Sequence, residues 1–126
     1  TNARLLCSGV WLKWVEDDEI QALCFFREES PYALDIHIHI PKQHRGKGTI
    51  KKGAEFLKWI VGRSKGSYIK FNTKIPVIYR DVILYAMKLG FKREGTDRMS
   101  IIKNNEVLDM AIMGCTFKEA IKCRAY

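Results

Sequence analysis

Two neighbouring segments of the chain combine residue types that could carry chemistry. In residues 34–40 (LDIHIHI), Asp35, His37 and His39 alternate with apolar residues. An imidazole exchanges a proton near neutral pH, and a carboxylate beside it can fix the orientation of the ring. His37 and His39 are therefore candidate general bases, and Asp35 is the candidate residue to orient one of them. The alternative interpretation is that all three are ordinary packed or surface residues of a strand.

The second segment, residues 42–48 (KQHRGKG), is a basic loop with two glycines that precedes a helical pattern. The first N–H groups of a helix have no partner within the helix, and glycine lets the backbone approach phosphate oxygens closely. Arg45 and Lys47 add positive charge. The sequence therefore predicts an anion site at this loop, with a merely solvated helix entry as the alternative.

The spacing of this loop disfavours two common nucleotide sites. A Walker loop places its lysine after the second glycine, whereas Lys47 lies between Gly46 and Gly48. A Rossmann fingerprint requires a third glycine and a parallel strand–helix–strand context, but the preceding strands are predicted to form a meander. ATP and NAD are therefore not the predicted ligands.

The His-x-His pattern could also hold a metal ion, because alternate residues of a strand project from the same face. A zinc site needs a third and a fourth ligand, and no spacing in the sequence supplies them. No metal is therefore predicted. His44 is predicted to be a surface residue of the loop rather than a base.

The chemistry-bearing segments require strands and helices to position them. Alternation predicts a strand over residues 34–40, with Ile36, Ile38 and Ile40 on its apolar face. Two earlier apolar runs, residues 5–16 and 20–27, flank an acidic turn and predict a hairpin.

The second half of the chain alternates between helical and strand patterns. Apolar residues recur at helical spacing from Ile50 to Val61, and Gly62 and Gly66 are predicted to close that helix. A strand is expected over residues 68–73, and then a helix with Pro76 in its first turn, an apolar stripe and Gly90 as its C-cap. The stripe comprises Ile78, Val82, Tyr85, Ala86 and Leu89. Strands at 91–93, 99–102 and 107–113, a turn at 104–105 and a short helix within 117–126 complete the pattern.

The composition is that of a single globular domain spanning residues 1–126. Apolar residues make up 47% of the chain, and no run of about 18 apolar residues predicts a membrane span. The net charge of +8 favours an anionic partner. The basic residues are spread along the chain and no nucleic-acid-binding signature is found, so nucleic acid is not the predicted partner.

The four cysteines favour a reducing compartment, and hence the cytoplasm. They include no Cys-x-x-Cys pair, and three of them lie in apolar runs typical of small core residues. They are Cys7, Cys24, Cys115 and Cys123.

Three stretches of the sequence resemble a known family. IHIPKQHRGKGTIKKGAEFLKWI is similar to the pyrophosphate-binding segment of the GNAT (general N-acetyltransferase) superfamily, whose motif is Gln/Arg-x-x-Gly-x-Gly/Ala. YAMKLGFKREGTDR resembles the second signature, a helix that ends in a Lys-Leu-Gly-Phe turn. GFKREGTDRMSIIKNNEVLDMAIMG is similar to the closing hairpin of the branch that acetylates protein N-termini and small amines. The resemblance covers residues 34–114, and small phage-borne GNAT-like proteins look similar.

The resemblance implies a mixed, mostly antiparallel α/β sheet with helices on both faces and a shortened or missing N-terminal part. It implies transfer of an acetyl group from acetyl-CoA to an amine of a small molecule or a protein N-terminus, with a homodimer as a possible assembly. The location would be cytoplasmic, or virion-associated if the protein is phage-encoded. The alternative function is a catalytically weak or inactive GNAT-fold protein that serves as a binding or virion-assembly module.

The resemblance also implies which residues contact the coenzyme. Two registers of the motif compete: residues 43–48 satisfy every position, whereas residues 45–50 place Ile50 where the family has Gly or Ala. The implied coenzyme contacts come from the strand, the loop and two later positions. They are Ile38, Ile40, Gln43, His44, Arg45, Gly46, Lys47, Gly48, Thr49, Asn72 and Tyr79.

The implied acid that protonates the departing thiolate is where the sequence departs from the family. The family tyrosine lies four residues before the glycine of the Gly-Phe turn, which here is Ala86. Tyr85 precedes it and is the candidate acid, although neighbouring helix positions differ by about 100° in direction. The alternative is that Tyr85 packs in the core. Tyr79 replaces an asparagine that often contacts the coenzyme, and the departures at Ala86 and Ile50 favour the weak or inactive alternative.

Overall fold

A computed structural model describes residues 9–46 and 48–122. The predicted order of elements is confirmed, with a short helix at the end. The strands are β1 (Val10–Glu16), β2 (Glu19–Ser30), β3 (Ala33–His39), β4 (Lys70–Pro76), β5 (Lys92–Lys103) and β6 (Glu106–Thr116). The helices are α1 (Thr49–Ser64), α2 (Arg80–Lys88) and α3 (Phe117–Ile121), and a 3-10 turn spans Lys42–His44. Cys7, Lys47, Cys123 and the first residues of the predicted 5–16 strand lie outside the described residues.

Both hairpins turn where the sequence predicted. Asp17 and Asp18 connect β1 to β2 with φ values of 52° and 61°, and Asn104 and Asn105 connect β5 to β6 with 52° and 64°. Two successive residues with positive φ are typical of the tight turn that suits the twist of a hairpin. Asp and Asn tolerate this conformation better than most residues, which explains their use here.

The strands form one sheet in the order β1-β2-β3-β4-β6-β5. All neighbours are antiparallel except β3 and β4, which run parallel and are connected through α1. This parallel pair is short, because it extends only from Ala33 opposite Lys70 to Asp35 opposite Asn72. Beyond that point the two strands no longer pair, so the sheet opens between them.

The core lies between one face of the sheet and the helices. Phe56 of α1 packs edge-on against Trp14 of β1, with ring centroids 6.3 Å apart. Phe117 of α3 packs against Phe71 of β4 at 4.6 Å, and Ala86 of α2 belongs to the same buried cluster. The expected mixed, mostly antiparallel sheet is confirmed, but in the described part of the chain the helix layer covers one face rather than both.

Two helix boundaries differ from the sequence prediction. Pro76 is the last residue of β4 instead of the start of a helix, because Pro76 still pairs opposite Met110 and the Val77 N–H bonds to the Asp109 carbonyl of β6. A proline at a strand end removes no hydrogen bond from the middle of the ladder. Gly62 lies inside α1, which ends at Ser64 with Lys65 as its C-cap in a left-handed conformation (φ 50°), and Gly66 follows with a φ of 82°. The C-cap of α2 is Leu89, and Gly90, predicted as the C-cap, is the residue after it, with a φ of 112° that favours glycine.

The strands expected at 91–93 and 99–102 are parts of one long strand, β5. Register shifts between Arg93 and Gly95 and between Asp97 and Ile101 absorb the extra residues, and Met99 adopts a φ of 51°. Such bulges let a strand continue where its alternating pattern is broken. The broken pattern is what divided β5 into two segments in the sequence.

Candidate functional site

A cleft occupies the opening between β3 and β4. It holds about 160 Å³ and is walled by residues from both strands and from α2. The wall residues from the strands include Ile36, His37 and Ile38 of β3 and Thr73 and Lys74 of β4. Side chains of α2, including Ala86 and Leu89, form its floor because both residues are buried in the core beneath it. The cleft therefore exists because the parallel pairing stops after three residue pairs.

A second, larger cavity continues from the first towards the start of α1. It holds about 510 Å³ and shares Ile38 and Tyr85 with the first cleft. Its other walls include His39, Ile40, Arg45, Thr49 and Ile50. The two cavities adjoin at the shared residues, and together they form a path from the interior edge of the sheet to the N-terminus of α1.

The glycine-bearing loop shapes the start of α1 as predicted for an anion site. Gly48 is the N-cap, with a φ of 87° that favours glycine, and no side chain caps the first N–H groups. The Arg45 Nε donates to the Ile40 carbonyl at 2.9 Å, which holds the loop against the end of β3. A Cβ at Gly46 would meet no atom within 4 Å, and the Thr49 N–H makes only a long bond, 3.4 Å, to the Gly46 carbonyl. The helix dipole and these N–H groups favour a bound anion.

The structure separates the two motif registers. The first register ends at Gly48, the N-cap, and the second ends at Ile50, the second residue of α1. The Ile50 side chain packs against the core and also lines the larger cavity. It is therefore held beside the path and not across the first turn of the helix.

Gln43 and His44 do not join the cavity walls. Both belong to the 3-10 turn, and the His44 side chain is only 13% exposed. The His44 Nε2 lies 3.5 Å from the Glu19 Oε1, in the region of the β1–β2 hairpin. This nitrogen has no hydrogen bond among the described residues, so the long contact to Glu19 is a weak one.

The structure brings His37 and Asp35 together. The Asp35 Oδ2 lies 3.0 Å from the His37 Nε2 and 3.5 Å from the Arg27 Nε. The hydrogen bond with Asp35 raises the pKa of His37 above its usual value of 6.5. Burial alone would raise the pKa of Asp35, but the bond to His37 and the charges of His37 and Arg27 lower it. The imidazole is half exposed and lines the cleft, where it can exchange a proton.

His39 lies on the same face of β3 but reaches the larger cavity. It is two residues nearer the loop than His37, which contacts the smaller cleft. The two histidines therefore occupy different parts of the path. Within residues 9–46 and 48–122, no three His, Cys, Asp or Glu side chains lie close enough to hold a metal ion.

Tyr85 has a specific partner that the sequence did not reveal. Its hydroxyl donates to the Thr49 carbonyl in the first turn of α1 at 2.7 Å. A Cβ at Gly53 would overlap this hydroxyl oxygen and lie 2.9 Å from the Leu89 Cδ1. Gly53 is therefore needed for the close approach of α1 and α2. A glycine inside a helix lowers the stability of that helix by about 1 kcal/mol relative to alanine. A glycine at this position of the helical pattern was therefore the one sign in the sequence that Gly53 has a packing role.

Asn72 and Tyr79 occupy different positions relative to the cleft. Asn72 pairs with Asp35 in the closed part of the sheet and does not line either cavity. Tyr79 is the N-cap of α2 and lines the smaller cleft. The Lys103 Nζ contacts the Tyr79 hydroxyl and lies 4.6 Å from the ring centroid. No pattern in the sequence indicated Lys103, because it approaches from the distant β5–β6 hairpin.

A sheet that opens between two parallel strands, above a glycine-bearing turn and a helix, is the GNAT fold, and the chain has this fold. A spermidine N-acetyltransferase chimera from Vibrio cholerae and hSSAT is similar with a TM-score of 0.80, at 15% identity over 90% of this chain and 70% of that chain. An acetyltransferase of the GNAT family from Streptococcus pneumoniae gives 0.74, at 16% identity over 86% and 66%.

A spermidine N-acetyltransferase from Vibrio cholerae, solved in complex with CoA and spermine, gives a TM-score of 0.73. The identity is 17% over 82% of this chain and 62% of that one, so the chain spans less than two thirds of its length. No protein-family model and no curated protein matches the sequence. Within the described residues no helix is both long and apolar enough to cross a membrane.

Proposed function

We propose that the protein is an acetyl-CoA-dependent N-acetyltransferase of the GNAT superfamily. The observation that carries the proposal is the path of two adjoining cavities from the start of α1, which no side chain caps, to the opening between β3 and β4. It offers an anion site at one end and an imidazole–carboxylate pair at the other. A solved structure of the same fold contains CoA, which supports this choice of coenzyme.

The two ends of the path suit the two ends of the coenzyme in charge and polarity. Its pyrophosphate would contact the N–H groups that follow Gly48, with the basic loop at 42–48 nearby. The extended arm would lie along Ile38 and Ile40, which line the path beside Tyr85. When bound, the coenzyme supplies an acetyl thioester as the electrophile. Because the N–H groups belong to the backbone, the side chains of the loop contribute less to this contact.

His37 is the proposed general base. An alkylamine has a pKa of about 10.4 and is protonated at neutral pH, so the acceptor must lose a proton before it attacks. The imidazole lines the cleft and is held by Asp35 at 3.0 Å. The carboxylate fixes which ring nitrogen faces it and stabilises the protonated ring. His39 lines the larger cavity and is placed to contact the coenzyme arm instead.

The proton balance of the transfer closes with His37 and solvent alone. The acceptor ammonium first gives one proton to the His37 imidazole, which is half exposed and releases it to solvent. The amine nitrogen then forms a bond to the acetyl carbon, the carbon–sulfur bond breaks, and the second amine proton passes to His37. The departing thiolate takes up one proton from solvent. Tyr85 is not the proposed acid, because its hydroxyl donates to the Thr49 carbonyl. Tyr79 lines the cleft, and its hydroxyl contacts the Lys103 ammonium.

Thermal denaturation with acetyl-CoA tests coenzyme binding, and α1 offers a matched control. Gly48 and Gly66 flank the two ends of this helix with φ values of 87° and 82°. At 100 times its dissociation constant a ligand stabilises the native state by about 2.7 kcal/mol. Gly48→Glu should abolish the shift, while Gly66→Glu, which carries the same backbone strain and charge, should keep it. Equal shifts in both variants would contradict the proposed phosphate site.

A second candidate function is a coenzyme-binding protein with feeble turnover, serving as a binding or assembly module. Ala86 favours it, since this small residue lies in the cleft wall where the family places its tyrosine. Losing an acid typically costs about 10² to 10⁴ in rate. Acetyl-CoA binding without transfer to any amine, together with a gain of turnover in Ala86→Tyr, would support this second function over the first.

A further inference from the structure

The sheet face opposite the helices carries a row of three side chains that ends at the cleft. Trp11, Phe25 and His37 lie opposite one another in register across β1, β2 and β3. Side chains opposite one another on adjacent strands share a face and are close enough to contact. The Trp11 and Phe25 rings have centroids 4.8 Å apart and planes inclined at 49°. The third member, His37, is the proposed base.

The row is accessible. Trp11 is 65% exposed and the His37 side chain is 53% exposed. The described helices all pack against the opposite face, through contacts such as that of Phe56 with Trp14. Contiguous exposed apolar groups mark interaction sites, and here an exposed tryptophan lies against a second aromatic ring.

The charges on this face select among amines. The faces of aromatic rings attract a cation, and their apolar area packs against an apolar body. Arg27 and Asp35 lie opposite one another on this face, and Lys13 lies two residues from Trp11 on the same side of β1. The Asp35 carboxylate is already engaged, because it lies 3.5 Å from the Arg27 Nε and 3.0 Å from the His37 Nε2. A polyamine would therefore place its additional positive charges near Arg27 and Lys13 without a carboxylate left to pair with them. A ligand with one positive charge and an aromatic body avoids that repulsion.

We propose that the row formed by Trp11, Phe25 and His37 binds the acceptor, a small monoamine that carries an aromatic ring. The inference rests on the proposed function. The ring of the acceptor packs on Trp11 and Phe25, and its amine reaches the His37 imidazole at the cleft. There the amine gives up a proton to the imidazole, forms the nitrogen–carbon bond and displaces the thiolate, as written above.

The test compares 2-phenylethylamine with spermidine, in direct binding by calorimetry and in initial rates at saturating acetyl-CoA. The dissociation constant and the KM for 2-phenylethylamine should be lower by roughly tenfold or more. Trp11→Ala should weaken 2-phenylethylamine binding by at least about fivefold, and Trp11→Phe should keep most of the affinity because it retains a ring. The control is Trp59→Ala, which removes a tryptophan of 45% exposure from α1 on the other face.

The outcomes separate this inference from the function on which it rests. Binding of 2-phenylethylamine that depends on Trp11, without any acetyl transfer, would support the site and overturn the enzymatic function. Transfer to amines that is unchanged in Trp11→Ala would support the function and overturn the site. Tighter binding of spermidine, or an equal loss in Trp59→Ala, would also overturn the site.

Discussion

Replacing Tyr85 by Phe distinguishes a positioning residue from a catalytic acid. The change removes only the hydroxyl that donates to the Thr49 carbonyl at 2.7 Å and leaves the ring in place. A hydrogen bond of this kind contributes about 1 kcal/mol net to stability. For a chain of 126 residues that corresponds to a fall in Tm of roughly 3–5 °C. Because Thr49 lies in the first turn of α1, the acetyl-CoA dissociation constant should rise several-fold.

Thermal denaturation and steady-state kinetics of Tyr85→Phe test both interpretations together. A positioning role predicts a lower Tm and a higher KM for acetyl-CoA, while kcat at saturating coenzyme stays within a factor of a few. A catalytic acid predicts the reverse, a fall in kcat of about 10² or more with the KM and the Tm unchanged. The second pattern would refute the reasoning from the Thr49 contact.

Gly53 supplies an independent check of the same contact. Gly53→Ala would overlap the Tyr85 hydroxyl, so it should destabilise by about 1–3 kcal/mol despite the better helix propensity of alanine. Gly62→Ala in the same helix meets nothing within 4 Å and should stabilise by roughly 0.5–1 kcal/mol. In the Tyr85→Phe background the cost of Gly53→Ala should shrink, since the overlapping oxygen is gone. An equal cost in both backgrounds would show that the hydroxyl is not the obstacle.

Three further expectations concern titrating groups. The pKa of His37, measured by NMR titration of its ring protons, should fall in Asp35→Asn. Because the folded-state pKa of His37 is raised, its pairing with Asp35 stabilises the fold fully below pH 6.5, and this contribution is lost as the pH rises through the folded-state pKa. Burial raises the pKa of the Cys24 thiol to about 12, so peptide mapping should show no alkylation of Cys24 at pH 8 until the protein is unfolded. The hydrogen bonds from Lys92, and then from Thr116, lower the pKa of Glu119 to about 2. The ionised Glu119 side chain therefore stabilises the fold above pH 4.5, and this contribution is lost as the pH falls towards 2. Acid denaturation of Glu119→Gln should show a smaller loss of stability over this range than the unchanged protein.

The parts of the fold that depend on local pattern were predictable from the sequence. The alternation at residues 34–40 placed Ile36 and Asp35 on opposite faces, and the structure buries Ile36 fully and leaves the Asp35 side chain 18% exposed. The turn at Asn104 and the end of α2 before Gly90 followed from residues that tolerate positive φ. These features are decided within a few residues of the chain, which is why a single sequence reveals them.

Features decided by the meeting of distant segments were not predictable. The hydroxyl of Tyr85 bonds to Thr49, 36 residues away, and no spacing in the sequence encodes that contact. Lys103 reaches Tyr79 from another hairpin for the same reason. The helical layer on a single face likewise follows from how α1 and α2 pack together, and the pattern of each helix alone does not determine it.

The early end of pairing between β3 and β4 gives the sheet two internal edges. From Ile36 onwards β3 still pairs with β2, but every second backbone amide of this segment points into the opening instead of towards β4. Such amides exchange their hydrogens with solvent far faster than those of a closed ladder. The centre of this sheet should therefore show a line of rapid exchange between two slowly exchanging halves, and a molecule bound in the opening should slow it.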